Sequence, residues 1–308
     1  MRRLPEVLRT LLVAGIPASG LLAQEPAAPP PTPAPEAAEP REAVAFRPLE
    51  GNVVINLPSV DVAREGTLTL IFTHRFQQPV QHSDIHDLYS FDNGAHIGIG
   101  LGYVPVKNLD VSFLRSSELD VYEAAAKYEL VSQGPFAAAL RVGEDWRTEK
   151  AQSKRSSFFA QAMLALSLGA RARVTAVPTY LSRTNGFSFV YATPTPGDES
   201  CEATPFGSFI CSGLYEHIVN VPVGVSLAVT HSITVHGEVT PRIGKTNAKG
   251  VGWVVSVEKS LLRHRFSFTA GNQRHTTVDQ YAAGIPFSAQ NRNDIFLGFN
   301  LIRQWKLK

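Results

Sequence analysis

From about residue 66 to the end of the chain, apolar and polar residues alternate with a period of two, a spacing that strands satisfy and helices scatter. In 251–258, Val251, Trp253, Val255 and Val257 fall on one face, opposite Gly252, Val254, Ser256 and Glu258. In 265–271, Phe266, Phe268 and Ala270 oppose Arg265, Ser267, Thr269 and Gly271. In 96–103, Ile97, Ile99, Leu101 and Tyr103 oppose His96, Gly98, Gly100 and Gly102. Twelve such segments are recognisable, near 66–76, 94–103, 109–116, 119–131, 135–146, 156–169, 171–183, 213–229, 233–246, 250–260, 264–273 and 292–303. Most exceed the 5–6 residue mean of soluble strands and suit the roughly 9–11 residues of a tilted membrane strand.

The connections point the same way. Long ones fall at 77–93, 147–155, 184–212 and 274–291, after the first, fifth, seventh and eleventh segments, whereas even-numbered ones such as Ala170-Arg171 and His231-Ser232 are short. Outer-membrane barrels pair short periplasmic turns with longer outer loops in this parity. The predicted fold is therefore all-β: an antiparallel up-and-down transmembrane β-barrel of about twelve strands, within a range of 10–14. Charged residues are 18% of the chain, below the roughly 25% usual in soluble proteins. Beyond the first two dozen residues no apolar run approaches the roughly 20 residues of a spanning helix.

Residues 1–23 have the form of a cleaved secretory signal, with Arg2, Arg3 and Arg9 ahead of a short apolar core. Its loss balances the formal charges of the remainder, which leaves no clustered positive field and excludes nucleic acid as a partner. The run 24–42 is Pro/Ala-rich with little to bury, a predicted disordered linker. Residues 43–65 are a lead-in segment or a plug, and 66–308 form the barrel. The chain is thus expected in the outer membrane of a Gram-negative-type bacterium, with the lipid bilayer and the barrel assembly machinery as partners. Cys201 and Cys211 are close in sequence in a predicted outer loop. In an exported chain such a pair is expected to form a disulfide.

Charges cost too much in lipid to sit on the outer wall, so the charged faces define a lumen. Glu123, Lys127, Glu129, Arg141, His236, Glu238, Arg242, Glu258 and Arg265 are the predicted pore-lining residues. The first loop holds His82, Asp84 and His86, the candidates if a metal binds at all. Their spacing follows no ligand pattern, and no cofactor is expected. A serine hydrolase embedded in the barrel needs a nucleophile and base within hydrogen-bond reach. His231-Ser232 and His264 with Ser267 are the available pairs, neither suitably placed, so no catalytic residue is assigned.

The stretch from Thr73-His74-Arg75-Phe76 through Asp92-Asn93-Gly94-Ala95 to the Gly-alternating strand resembles a family of bacterial β-barrel proteins known as a domain of unknown function, of the DUF 5777 type. That resemblance implies an outer-membrane barrel and no particular activity. The leading functional expectation is a passive channel or transporter for small polar solutes. A non-enzymatic structural or surface-binding barrel follows, and a barrel-embedded lipid hydrolase comes third.

Overall fold

The computed structural model describes residues 52–307 apart from 93, 149–155, 184–186, 191–200, 204–208, 213–215, 242–250, 283 and 285–293. The predicted signal and linker, and Arg242, lie outside the described residues. Strands β1 (Thr67–Phe76), β2 (Ala95–Val106), β3 (Leu109–Ser116), β4 (Val121–Gln133), β5 (Phe136–Arg147) and β6 (Ser156–Leu168) pair antiparallel in chain order. The next stave is split into β7 (Ala172–Ala176) and β8 (Thr179–Arg183), both paired with β6. After the small sheet formed by β9 (Phe187–Val190), β10 (Cys201–Ala203) and β11 (Phe209–Ser212), a second split stave follows as β12 (Glu216–Asn220) and β13 (Val223–Ala228). β8 pairs with β12 and β7 with β13, and the ring continues through β14 (Ile233–Thr240), β15 (Gly252–Leu261), β16 (His264–Gly271) and β17 (Phe296–Lys306) back to β1. The result is a closed barrel of twelve staves.

Both splits have one cause. Pro178 and Pro222 have no N–H to give to the ladder. Their carbonyls compensate, accepting from Ala162 N at 2.9 Å and Val177 N at 2.8 Å. Closure leaves no free edge, the condition for a sheet in hydrocarbon.

Burial follows the predicted alternation. Along β15, Val255 and Val257 point outward at 46% and 54% exposure, while Val254, Ser256 and Glu258 are buried inside. Ile99 and Leu101, Leu140 and Val142, Leu164 and Leu166, and Phe266 and Phe268 continue the same outward apolar face. The even-numbered connections are tight turns, as at 107–108, 134–135 and 262–263, and every long connection is odd-numbered. β1 begins and β17 ends at the tight-turn end, called here the inner end.

Twelve staves enclose more room than wall side chains fill, and the chain fills it from both ends. Residues 52–62 run inside the barrel, bent by a bridge between Val53 and Pro58. Gly66, at φ +76°, turns this segment into β1; its N–H reaches Val104 O and its carbonyl accepts from Leu307 N, both at 2.8 Å. From the outer end, the connection before β17 dips inward and carries the short helix α1 (Val278–Tyr281), all four of whose residues are buried.

One side of the lumen is apolar. Ile55, Leu57 and Val60 of the inner segment cluster with Phe159, Met163 and Leu181 of the wall and with Val278 and Tyr281 of α1. Phe159 can lie across the wall because residue 143 is glycine: a Cβ there would stand 2.4 Å from the Phe159 ring. Replacing Phe159 by alanine is expected to cost about 3–5 kcal/mol, the usual penalty for emptying a buried aromatic site. Urea unfolding in detergent micelles measures it.

Candidate functional site

The remaining lumen surface carries charges, and many of them are engaged by the two segments that enter it. Glu238, on the inward face of β14, accepts from three consecutive backbone N–H groups: Ile55 at 2.6 Å, Asn56 at 3.0 Å and Leu57 at 2.9 Å. Lys127 of β4 donates to the carbonyls of Ser59 (3.2 Å) and Asp61 (2.6 Å), with Asp110 at 3.9 Å. Arg173 of β7 meets both oxygens of Asp61 at 3.0 and 2.8 Å. Arg75 donates to Asn56 Oδ1 and to Asn300 Oδ1, each at 2.8 Å, and Asn300 Nδ2 reaches Ile55 O at 3.0 Å. Glu129, beside a bulge in β4, accepts from Val62 N at 3.1 Å. A buried charge needs such partners, because desolvation otherwise exceeds what the fold can sustain.

The outer segment is held in the same manner. Val278 N donates to Glu123 at 3.2 Å and Asp279 N to Asp145 at 2.9 Å, while Gln161 reaches Tyr281 Oη at 3.2 Å. Arg141 pairs with Glu123, donates to Gln161 at 2.9 Å and lies over the Phe159 ring. At the rim, Arg274 and His275 contact Glu118 at 3.3 and 3.1 Å. Between the two segments remains a cavity of about 90 Å³, bordered by Asn56, Thr73, Asp110, Lys127, Arg141 and Tyr281. Gly100 and Gly102 form part of its wall, consistent with the strip of inward glycines in 96–103.

Glu118 lies between β3 and β4, outside the strands. Burial alone would raise its pKa; His275 and Arg274 outweigh that and bring it down to about 2. A carboxyl held below its ordinary value of about 4.3 stabilises the fold above that value and loses the contribution as pH falls through 2. Glu118→Gln is accordingly expected to lower the melting temperature near neutral pH. The gap from the native chain should close only toward pH 2, as read from melting curves over an acid series.

Of the predicted lumen residues, Glu123, Lys127, His236, Glu238 and Glu258 are buried inside, and Glu129, Arg141 and Arg265 are half-buried. They act as tethers and paired charges. Arg265 lies 3.3 Å from Glu258. Sequence reasoning missed Arg75, Asp110, Glu118, Asp145 and Arg173. Asp110, Asp145 and Arg173 sat in plain alternation on their strands, whereas the fixed position of Asp61 had no local signal.

The first-loop candidates do not converge. His82 Nε2 lies 3.2 Å from Asp294, and Asp84 caps the turn by accepting from His86 N. Among the described residues no group of three or more His, Cys, Asp or Glu side chains is placed to hold a metal ion. Ser267 is buried while His264 is exposed, and His231 and Ser232 occupy a turn. A serine–histidine contact does occur where none was expected: Ser226 Oγ and His236 Nδ1 are 2.8 Å apart inside the lumen. His236 Nε2 is 3.9 Å from Glu258, beyond hydrogen-bond reach, so these three groups form no relay in this state. Cys201 and Cys211 stand directly opposite each other where β10 pairs with β11.

A family model described as a membrane bound beta barrel domain, DUF5777, matches residues 49–305. No match was found among curated proteins. Among solved structures, the chain is similar to the NanC porin, with 7% identity, a TM-score of 0.41, and coverage of 78% of this chain and 100% of that one. It is also similar to outer membrane phospholipase A from Escherichia coli, with 12% identity, a TM-score of 0.40, and coverage of 84% and 96%.

Proposed function

We propose, from the premise that this chain belongs to the membrane-bound β-barrel family DUF5777, that it is an exported outer-membrane channel for small polar solutes, held closed by its own N-terminal segment. One observation carries the reading. Residues 52–62 cross the lumen without pairing into the wall, and their main polar attachments are to charged side chains, Glu238 foremost. Such attachments can exchange with water once the segment shifts, which the backbone ladder of a wall strand cannot do without opening the barrel.

Planar-bilayer recording on the purified protein tests it. The native chain should pass little current, and a variant lacking residues 52–62 should conduct steadily with a preference among ions. A variant that folds and never conducts would mark a permanently sealed barrel. The apolar cluster of Ile55, Leu57 and Val60 against Phe159 and Met163 favours that second, structural reading, since it adds stability without serving passage.

Cys201 and Cys211 are proposed to form a disulfide that fixes the outer sheet of β9–β11. Opposed Cα atoms in an antiparallel pair are about 4.5–5.5 Å apart, within the roughly 4.4–6.8 Å that a disulfide spans. Alkylation of the denatured protein should add no label without reductant and two labels after reduction, as read by intact mass.

A further inference from the structure

The connection between β1 and β2 bends outward and down the outside of the barrel. Within it, Phe91 packs edge-on against Phe76 at the end of β1, with ring centroids 4.9 Å apart, and stacks toward Phe268 on β16 at 6.3 Å. Phe268 belongs to the outward apolar face, flanked in register by Phe299 of β17 and Val257 of β15. The loop thus overlaps the surface that meets lipid.

It exposes an unusual number of large apolar side chains for a loop. Ile85, Leu88, Tyr89 and Phe91 are 60%, 54%, 53% and 48% exposed. His82, Asp84, His86 and Asp92 are exposed as well, at the water-facing edge, while several of the loop's polar groups bond within it. Asp84 accepts from His86 N at 2.7 Å, Asp87 accepts from Asp84 N at 2.9 Å, and Gln78 Nε2 reaches Asp87 at 2.9 Å. Ser90 Oγ donates to Gln78 O at 2.5 Å. Holding this shape places Leu88, Tyr89 and Ser90 in succession at φ +50°, +54° and +85°, a region that residues with a side chain adopt at a cost. The backbone accepts that cost and in doing so presents apolar side chains outward.

We propose that this loop is inserted into the outer leaflet of the membrane, with Ile85, Leu88 and Tyr89 among the upper acyl chains and headgroups. It would extend the apolar belt over β1, β16 and β17. The occupant is lipid because the patch is continuous with the lipid-facing wall. It is also a single turn, whereas a stable protein interface takes roughly 20–30 residues a side. Tyr89 suits the place, as tyrosine rings collect at the membrane–water boundary.

Site-directed spin labelling tests this on the full chain, with Cys201→Ser and Cys211→Ser removing the native thiols. Labels are placed at Leu88→Cys, at Leu101→Cys on the lipid-facing wall and at Lys107→Cys in an inner turn. The protein is reconstituted in phosphatidylethanolamine–phosphatidylglycerol vesicles. Collision with oxygen relative to a water-soluble nickel chelate should place the Leu88 label with Leu101, several-fold above Lys107. A ratio equal to that of Lys107 would put the loop in water and overturn the proposal. Dipolar broadening at Leu88 that disappears on dilution with unlabelled protein would identify a second copy as the occupant and overturn it equally. If the Leu88 variant does not fold, as judged by heat-modifiable migration in gels, Ile85→Cys on the same turn gives the same readout.

Discussion

Replacing Glu238 by alanine is expected to convert a barrel that passes little current into one that conducts, with the strands intact. The carboxylate receives three adjacent backbone donors from residues 55–57. A hydrogen bond to a charged group contributes about 1.5–3 kcal/mol, so the loss of even one shifts the plug's residence in the lumen by roughly tenfold or more. Removing the acceptor also leaves the three N–H groups facing a cavity, which they relieve by moving to water. Glu238→Gln retains one acceptor oxygen and should fall between the two. Arg173→Ala, which removes the guanidinium from the Asp61 carboxylate, should act in the same direction and add to the effect, since the two tethers grip different residues of the segment. Single-channel recording reads open probability directly; a Glu238→Ala barrel as silent as the native one would refute the gating role.

A charge placed on the outer wall is expected to produce a large loss of stability. Val257 faces outward in the middle of β15, between Val235 and Phe268 in the neighbouring staves. For Val257→Arg, an arginine on the lipid side near the midplane costs about 2–4 kcal/mol, and no lumen partner is available to it there. Val257→Ala removes only part of an apolar contact and should cost far less. Urea unfolding in phospholipid vesicles would show the difference, and a Val257→Arg barrel as stable as the alanine variant would mean that this face does not meet hydrocarbon.

The barrel was readable in the sequence because one physical rule repeats at every residue. Alternation sorts Val255 from Ser256 and Leu140 from Arg141, and the parity of long and short connections follows from chain direction alone. The contents of the lumen were not readable to the same degree. Residues 52–62 carry Val54, Ile55, Leu57 and Val60, a pattern common to buried segments, and their decisive partner, Glu238, lies far along the chain. On β6 the inward face mixes Ser157, Gln161 and Ser167 with Phe159 and Met163, so alternation marks the lumen side without revealing that an apolar cluster gathers there. Apart from Arg242, outside the described residues, the charges named as pore-lining lie on the inward faces of their strands, but the contacts some of them make to residues 52–62 depend on a segment whose course only tertiary structure fixes. The break of two staves at Pro178 and Pro222 was visible as two prolines and no more.

If the lumen opens as proposed, the junction at Gly66 determines from which end it can be unlocked. Only the four residues 63–66 separate the plug's last tether, at Val62, from the first strand, a leash of roughly 13 Å when extended. Gly66 itself is pinned to the ends of β2 and β17. On the proposed reading, residues 52–62 cannot leave by the long-loop end. They can only pivot about the inner rim and withdraw past the tight turns, so a solute arriving at the long-loop end would find the passage governed by events on the far side of the membrane.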